Sequence, residues 1–341
     1  MKRQRLSQPA LPMSDDFIGY CQGFARSSED WPPLPLKEPP ELAWWQELVS
    51  RSAIGAQNGV EILTSLKSPL PQLLLPQVDG IGHSELYKTM VLRGEASIGR
   101  NLSSAGPEVC WHEAEALTCW IARHPCGSMP VLQTPNWHDF VQLVRALAHR
   151  GEPVALADGV HAQAVSGLIH WGLIRRFGRQ SRAQLIVLHQ APYGSVPAEQ
   201  VPGGLEDCEW LAVSTRLRLE HELTHLATKR LLGEMRLNLL DELIADCMGM
   251  IAALGRFDAN LFGRCLGIDA QEGRWITYTR ELSNLQAHNA LALVMARSFE
   301  LEQMLTEHPQ LLRPECSMER LQWLCRQRLD QPISAPSATL H

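Results

Sequence analysis

Residues 216–250 read RLRLEHELTHLATKRLLGEMRLNLLDELIADCMGM, and the reading of the whole chain turns on this stretch. His221 and His225 stand one helical turn apart, so their imidazoles leave the same face of a helix and can share one cation. Glu222 follows the first histidine directly, where a carboxylate reaches a water on that cation rather than the cation itself. Glu242 and Asp246 lie on a second apolar run, again one turn apart. Gly233 stands where a helix C-cap belongs, and Asn238 where an N-cap belongs, with Asp241 three residues later favouring the helix start. The stretch therefore predicts a helix over 209–232, a turn, and a second helix from 239 to about 254, stopped by Gly255.

A catalytic zinc site takes three protein ligands and a water. Glu234, Asp241, Glu242 and Asp246 are the nearby candidates for the third. Glu234 falls in the turn and Asp241 has the character of a helix-capping residue. Glu242, in the first turn of the second helix, can return to the histidines. Asp246, one turn on, can accept a hydrogen bond from the non-ligating nitrogen of a ligand histidine and fix its orientation. The plainer alternative is a histidine pair on a core helix, bonded to neighbouring acids.

The pattern resembles the gluzincin zinc metallopeptidases, the thermolysin-like and aminopeptidase group, over about residues 210–255. These pair HExxH on one helix with a Glu ligand, and often an Asp four residues later, on the next. The resemblance implies His221, His225 and Glu242 as ligands of one Zn²⁺, Glu222 as general base and Asp246 as the orienting acid. Asp241 stands where the family often carries Asn. The metzincin pattern is excluded, since Thr228 and Leu231 occupy its Gly and third His positions. Zincin catalysis also needs a donor for the developing oxyanion. In EGRWITYTRELSNLQAH (residues 272–288) the candidates are Arg274, Tyr278, Arg280 and His288, with Tyr278 and His288 taken first, and Tyr193 is a weaker one.

The 341 residues, 45% apolar and 20% charged with a net charge of −6, have the profile of a soluble globular protein with a sizeable core. No block of Lys and Arg points to nucleic acid. Nine cysteines form an odd set without a C-x-x-C pair, which fits reduced thiols in a reducing compartment. The basic N-terminus lacks an apolar segment after it, and no run is long enough for a membrane span. A cytoplasmic location is expected, without nucleic-acid or membrane partners.

Residues 1–39 form a Pro-rich tail, 40–130 an N-terminal region of undetermined role, 131–330 the catalytic region and 331–341 a second tail. Helices are expected over 41–52, 110–122, 134–149, 258–265, 280–306 and 318–329. Strand-like or extended pieces fall in 59–77, and strands at 153–157, 162–169 and 185–189. By analogy with zincin folds, 185–189 serves as the edge strand that pairs with an extended substrate. His112-Glu113, an adjacent pair on the expected 110–122 helix, points in two directions and completes no site.

The expected fold is α+β and zincin-like, predominantly helical, with a small mixed sheet packed on the HExxH helix. The expected function is zinc-dependent hydrolysis of a peptide bond in a peptide or protein substrate, with Glu222 activating the water. The alternatives are a non-catalytic zinc-binding regulatory or interaction protein, and a metalloenzyme acting on a non-peptide amide or ester.

Overall fold

The computed structural model describes residues 14–26, 31–55, 58–95, 106–156, 159–270 and 273–336. The helices are α1 (Asp15–Cys21), α2 (Leu42–Gly55), α3 (Gly59–Lys67), α4 (Trp137–Ala148), α5 (Trp171–Phe177), α6 (Asp207–Leu232), α7 (Leu239–Leu254), α8 (Ala259–Leu266), α9 (Trp275–Thr279), α10 (Asn284–Glu307) and α11 (Ser317–Cys325). The strands are β1 (Thr118–Ala122), β2 (Met129–Thr134), β3 (Ala162–Leu168) and β4 (Ala183–His189). The class is α+β, mostly helical with a small mixed sheet. Contacts divide the chain into two compact units, one within Met1–Trp31, Tyr193–Asp207 and Thr224–His341, the other within Pro32–Pro192 and Cys208–Leu223.

The second of these units holds the sheet, in the order β1-β2-β4-β3. β1 runs antiparallel to β2, β2 parallel to β4, and β3 antiparallel to β4. The expected strand 185–189 is present as β4, but it lies inside the sheet; β3 and β1 are the edges. Its sequence, AQLIVLH, explains the placement, because a near-continuous apolar run suits a strand covered on both faces. Helix α4 lays Phe140, Leu143, Val144 and Leu147 into one core with Leu132, Leu185 and Val187 of the sheet, and Trp45, Leu48, Ile62 and Leu66 of α2 and α3 complete it. Asn136 caps α4 by accepting from the His138 and Asp139 amides.

Three expectations for this unit are corrected. Residues 59–67 are helical, with the Asn58 side chain accepting from the Glu61 amide. The expected 110–122 helix is instead an irregular segment that leads into β1. The Asp139 carboxylate takes the His112 and Glu113 amides at 2.8 and 2.9 Å and so holds that segment against α4. Residues 153–156 join no strand.

Behind α5 sits His170, fully buried, with its Nδ1 accepting from the Leu173 amide at 3.1 Å and its ring edge-on to Trp44 and Trp45. Burial lowers its pKa from the ordinary 6.5 to about 4. The unfolded chain therefore binds the extra proton first, and stability present above pH 6.5 is lost as pH falls toward 4, by roughly 3 kcal/mol in full. Urea unfolding at pH 7.5 and 4.5 measures this loss. His170→Asn, which keeps the cap but cannot titrate, is expected to unfold with a flatter pH dependence than the wild type. Equal pH dependence in the two proteins would refute it.

The other unit is helical and centres on α7, whose sequence LLDELIADCMGMIAAL is apolar on every side. Such a helix is buried all round, and its residues from Leu239 to Ile251 are buried. Gly233 ends α6 at φ 79°, a left-handed conformation that a Cβ would penalise. Asn238 caps α7 as expected, and Gly255 ends it. Beyond α7, the expected 280–306 helix is present as α10, starting at Asn284, and the short α9 precedes it. Ser283 and Gln286 form a capping box at the start of α10 that separates them.

Residues 14–26 belong to the same unit. Arg236 donates to the Gly23 and Gly19 carbonyls at 2.6 and 2.9 Å, and Asn238 donates to the Tyr20 carbonyl at 3.0 Å. The Tyr20 hydroxyl accepts from the Leu239 amide and donates to the Tyr278 carbonyl, both at 3.1 Å. None of the nine cysteines forms a disulfide. Among the described residues, no helix is long and apolar enough to cross a membrane.

Candidate metal centre

Helix α6 carries His221 and His225 on one face, and α7 brings Glu242 to them. The three residues are buried and offer ligand atoms all within 4.8 Å of one another. The Nε2 of His225 lies 3.3 Å from Glu242 Oε1. A tetrahedral zinc with bonds of about 2.0–2.1 Å separates neighbouring ligand atoms by about 3.3–3.4 Å. The pair is thus already at the spacing of two ligands on one ion. Two imidazoles and a carboxylate, with Asp241 and Asp246 buried on the same helix, make a donor set and an acid-rich surrounding that fit a divalent cation.

Burying three carboxylates on one apolar helix is costly unless each finds partners. Asp241 accepts from the Arg236 and Leu237 amides at 3.1 and 3.2 Å, and its Oδ2 lies 3.3 Å from His225 Nδ1. This folds the turn before α7 back onto the acid. Leu237 within it has φ 52°, a conformation unfavourable for a branched residue, which the two amide bonds to Asp241 hold in place. The Asp246 carboxylate accepts a hydrogen bond from the Tyr193 hydroxyl. Glu242 Oε2 accepts from Arg274 Nη2 at 2.8 Å.

Arg274 is in turn fixed by its surroundings. Its guanidinium lies over the Tyr193 ring at 5.4 Å and donates to the Cys265 carbonyl at 3.4 Å. The chain enters it through Gly273, where an added Cβ would stand 2.0 Å from the Gly267 carbonyl oxygen. Only a glycine permits that approach. Tyr278, one turn further along α9, lies beside the same group, close enough for the charges of Glu242 and Arg274 to act on its phenol.

The electrostatics follow from burial and charge. Burial opposes a proton on His225, but hydrogen bonds and charge from Asp241 and Glu242 outweigh it and hold the imidazole pKa well above its ordinary value. Burial also raises the phenols of Tyr193 and Tyr278, with Asp246 adding to the first and Glu242 to the second. Both phenols keep their protons and serve as donors. Burial alone would lower Arg274, but the surrounding phenols and carboxylates, Tyr193 foremost, carry it the other way.

The remaining expected residues are placed as follows. Glu222 is half-buried on α6 and, among the described residues, makes no side-chain hydrogen bond or ion pair. His288 is exposed in the first turns of α10, bonded through Nδ1 to the Asn284 carbonyl at 2.7 Å and edge-on to Trp275. Asp241 stands beside Nδ1 of His225, and Asp246 accepts from the Tyr193 hydroxyl. Asp241 and the Arg274–Glu242 pair were not legible in the spacing: a capping position disguised the first, and the second joins residues 32 apart.

These features define a mixed α+β protein with a buried two-histidine, one-carboxylate centre that could hold a metal ion. The chain belongs to a family of unknown function (DUF7005), whose model matches residues 16–184 and 179–335. No curated protein and no solved structure matches it.

Proposed function

We propose that this protein is a zinc-dependent hydrolase, with peptide-bond cleavage as its reaction and a zincin-like arrangement of α6, α7 and the sheet as its framework. The observation that carries the reading is the convergence of His221, His225 and Glu242, with Glu222 next to the first ligand and carrying no other partner among the described residues. Two imidazoles and a carboxylate form the protein ligand set of hydrolytic zinc sites, which leave one position open. Zinc, when bound, supplies Lewis acidity that makes a water acidic and polarises a carbonyl. Glu222, next to the first ligand, would take a proton from the attacking water and return it to the leaving amine. Asp241 fixes the ring of His225. Tyr278 and Arg274, beside Glu242, are the donors on hand for negative charge that develops on the substrate.

Protein purified without chelators is expected to contain one zinc per chain by elemental analysis. Removing it should lower the thermal midpoint, because an ion bound only by the folded state stabilises that state. Zinc-loaded protein is then tested against a peptide library. Absence of metal would refute the reading outright. One zinc with no cleavage of any peptide would move it to a non-catalytic metal protein or to a non-peptide amide or ester.

A further inference from the structure

Resting on the reading just given, the geometry points to Arg274 as a positioning residue that makes Glu242 a one-oxygen ligand and so keeps the site at three protein ligand atoms and a water. The two oxygens of Glu242 have different neighbours. Oε1 faces His225 Nε2 at 3.3 Å, on the side of the ligand cluster, whereas Oε2 is held by Arg274 Nη2 at 2.8 Å. A carboxylate can bind a cation through one oxygen or both. If both bind, the ion gains a fourth protein atom and, with its water, becomes five-coordinate. A charge-assisted hydrogen bond to one oxygen favours the single-oxygen mode.

The arrangement is pre-set by the protein. Tyr193 lies under the guanidinium, the Cys265 carbonyl takes its other nitrogen, and Gly273 allows the chain to enter at that depth. Rotation of Glu242 would break its bond to a guanidinium that these contacts hold in place. A guanidinium presents a rigid planar fork that lysine cannot reproduce. Arg274 therefore acts through Glu242 and has no need to touch the substrate.

The test uses full-length protein stripped of metal and titrated with Co²⁺, whose visible absorption is strong in four-coordinate and weak in five-coordinate sites. Zinc affinity is measured in parallel against a chromophoric chelator. Wild-type protein is expected to give the four-coordinate spectrum. Arg274→Gln is expected to give the weaker five-coordinate spectrum and a zinc affinity lower by roughly 10–100-fold. Arg274→Lys retains the charge without the fork and should shift the spectrum in the same direction; it serves as the second variant if Arg274→Gln fails to fold, which circular dichroism reports. A wild-type spectrum and wild-type zinc affinity in a folded variant would overturn the role of Arg274 while leaving the metal site standing. Failure of the wild type to bind either metal would overturn the site and this role together.

Discussion

Glu222→Gln is expected to lower hydrolysis by roughly 10²–10⁴-fold while zinc content and fold stay as in the wild type. The amide matches the carboxylate in shape and hydrogen-bonding reach but cannot accept a proton at neutral pH. Glu222 is half-buried and makes no other side-chain bond among the described residues, so the change removes no partner from the structure. The comparison needs three readings on one preparation: zinc per chain, thermal midpoint and turnover of a substrate found in the peptide library. Full activity in a zinc-loaded Glu222→Gln protein would remove the general base and with it the proposed mechanism. Loss of zinc in this variant would instead mark Glu222 as part of the binding site.

His225→Ala is expected to abolish zinc binding and to destabilise the metal-free protein by about 3–5 kcal/mol. The imidazole stands between two buried carboxylates, 3.3 Å from Asp241 on one side and 3.3 Å from Glu242 on the other. Removing it leaves both acids without that neighbour in a helix buried on every side. Carboxylates held away from water without a compensating partner account for the size of the effect. Urea denaturation of chelator-treated wild type and variant isolates the metal-free term. A difference under about 1 kcal/mol would show that the acids are satisfied without His225.

The region around the centre was legible because its signals are local. Gly233, Asn238 and Gly255 mark helix ends within a few residues of what they end, and an apolar run such as that of α7 needs no partner to be recognised. The amphipathic 134–149 segment was legible for the same reason. The sheet was not. β1 exists because it pairs with β2, in which Pro130 stands opposite Ile121, and neither strand alone carries a strong alternation. The order β1-β2-β4-β3, which moves β4 from the expected edge to the interior, depends on parallel pairing of segments some fifty residues apart.

Residues 59–67 show a local signal that went unused. Asn58 and Glu61 are an N-cap and a third-position acid, and they mark a helix start that the β-branched residues after them obscure. In the centre itself, the spacing identified which residues meet, but not which oxygen of Glu242 faces His225 nor which acid stands behind that ring. Those choices are made by the turn at 233–238 and by the loop that ends at Gly273.

The hydrogen bond from the Leu239 amide to the Tyr20 hydroxyl spans 219 residues of sequence. It settles the first turn of the helix that carries Glu242, and Leu329 donates to the Cys21 carbonyl from further still, at 2.9 Å. Contacts of such separation close the largest loops in a chain, and folding that waits on them is slow. Residues 14–26 are made long before α7 and Leu329 and must stay uncommitted until both exist. In the proposed reading, an ion would therefore meet a first turn of α7 already held by residues far apart in the chain.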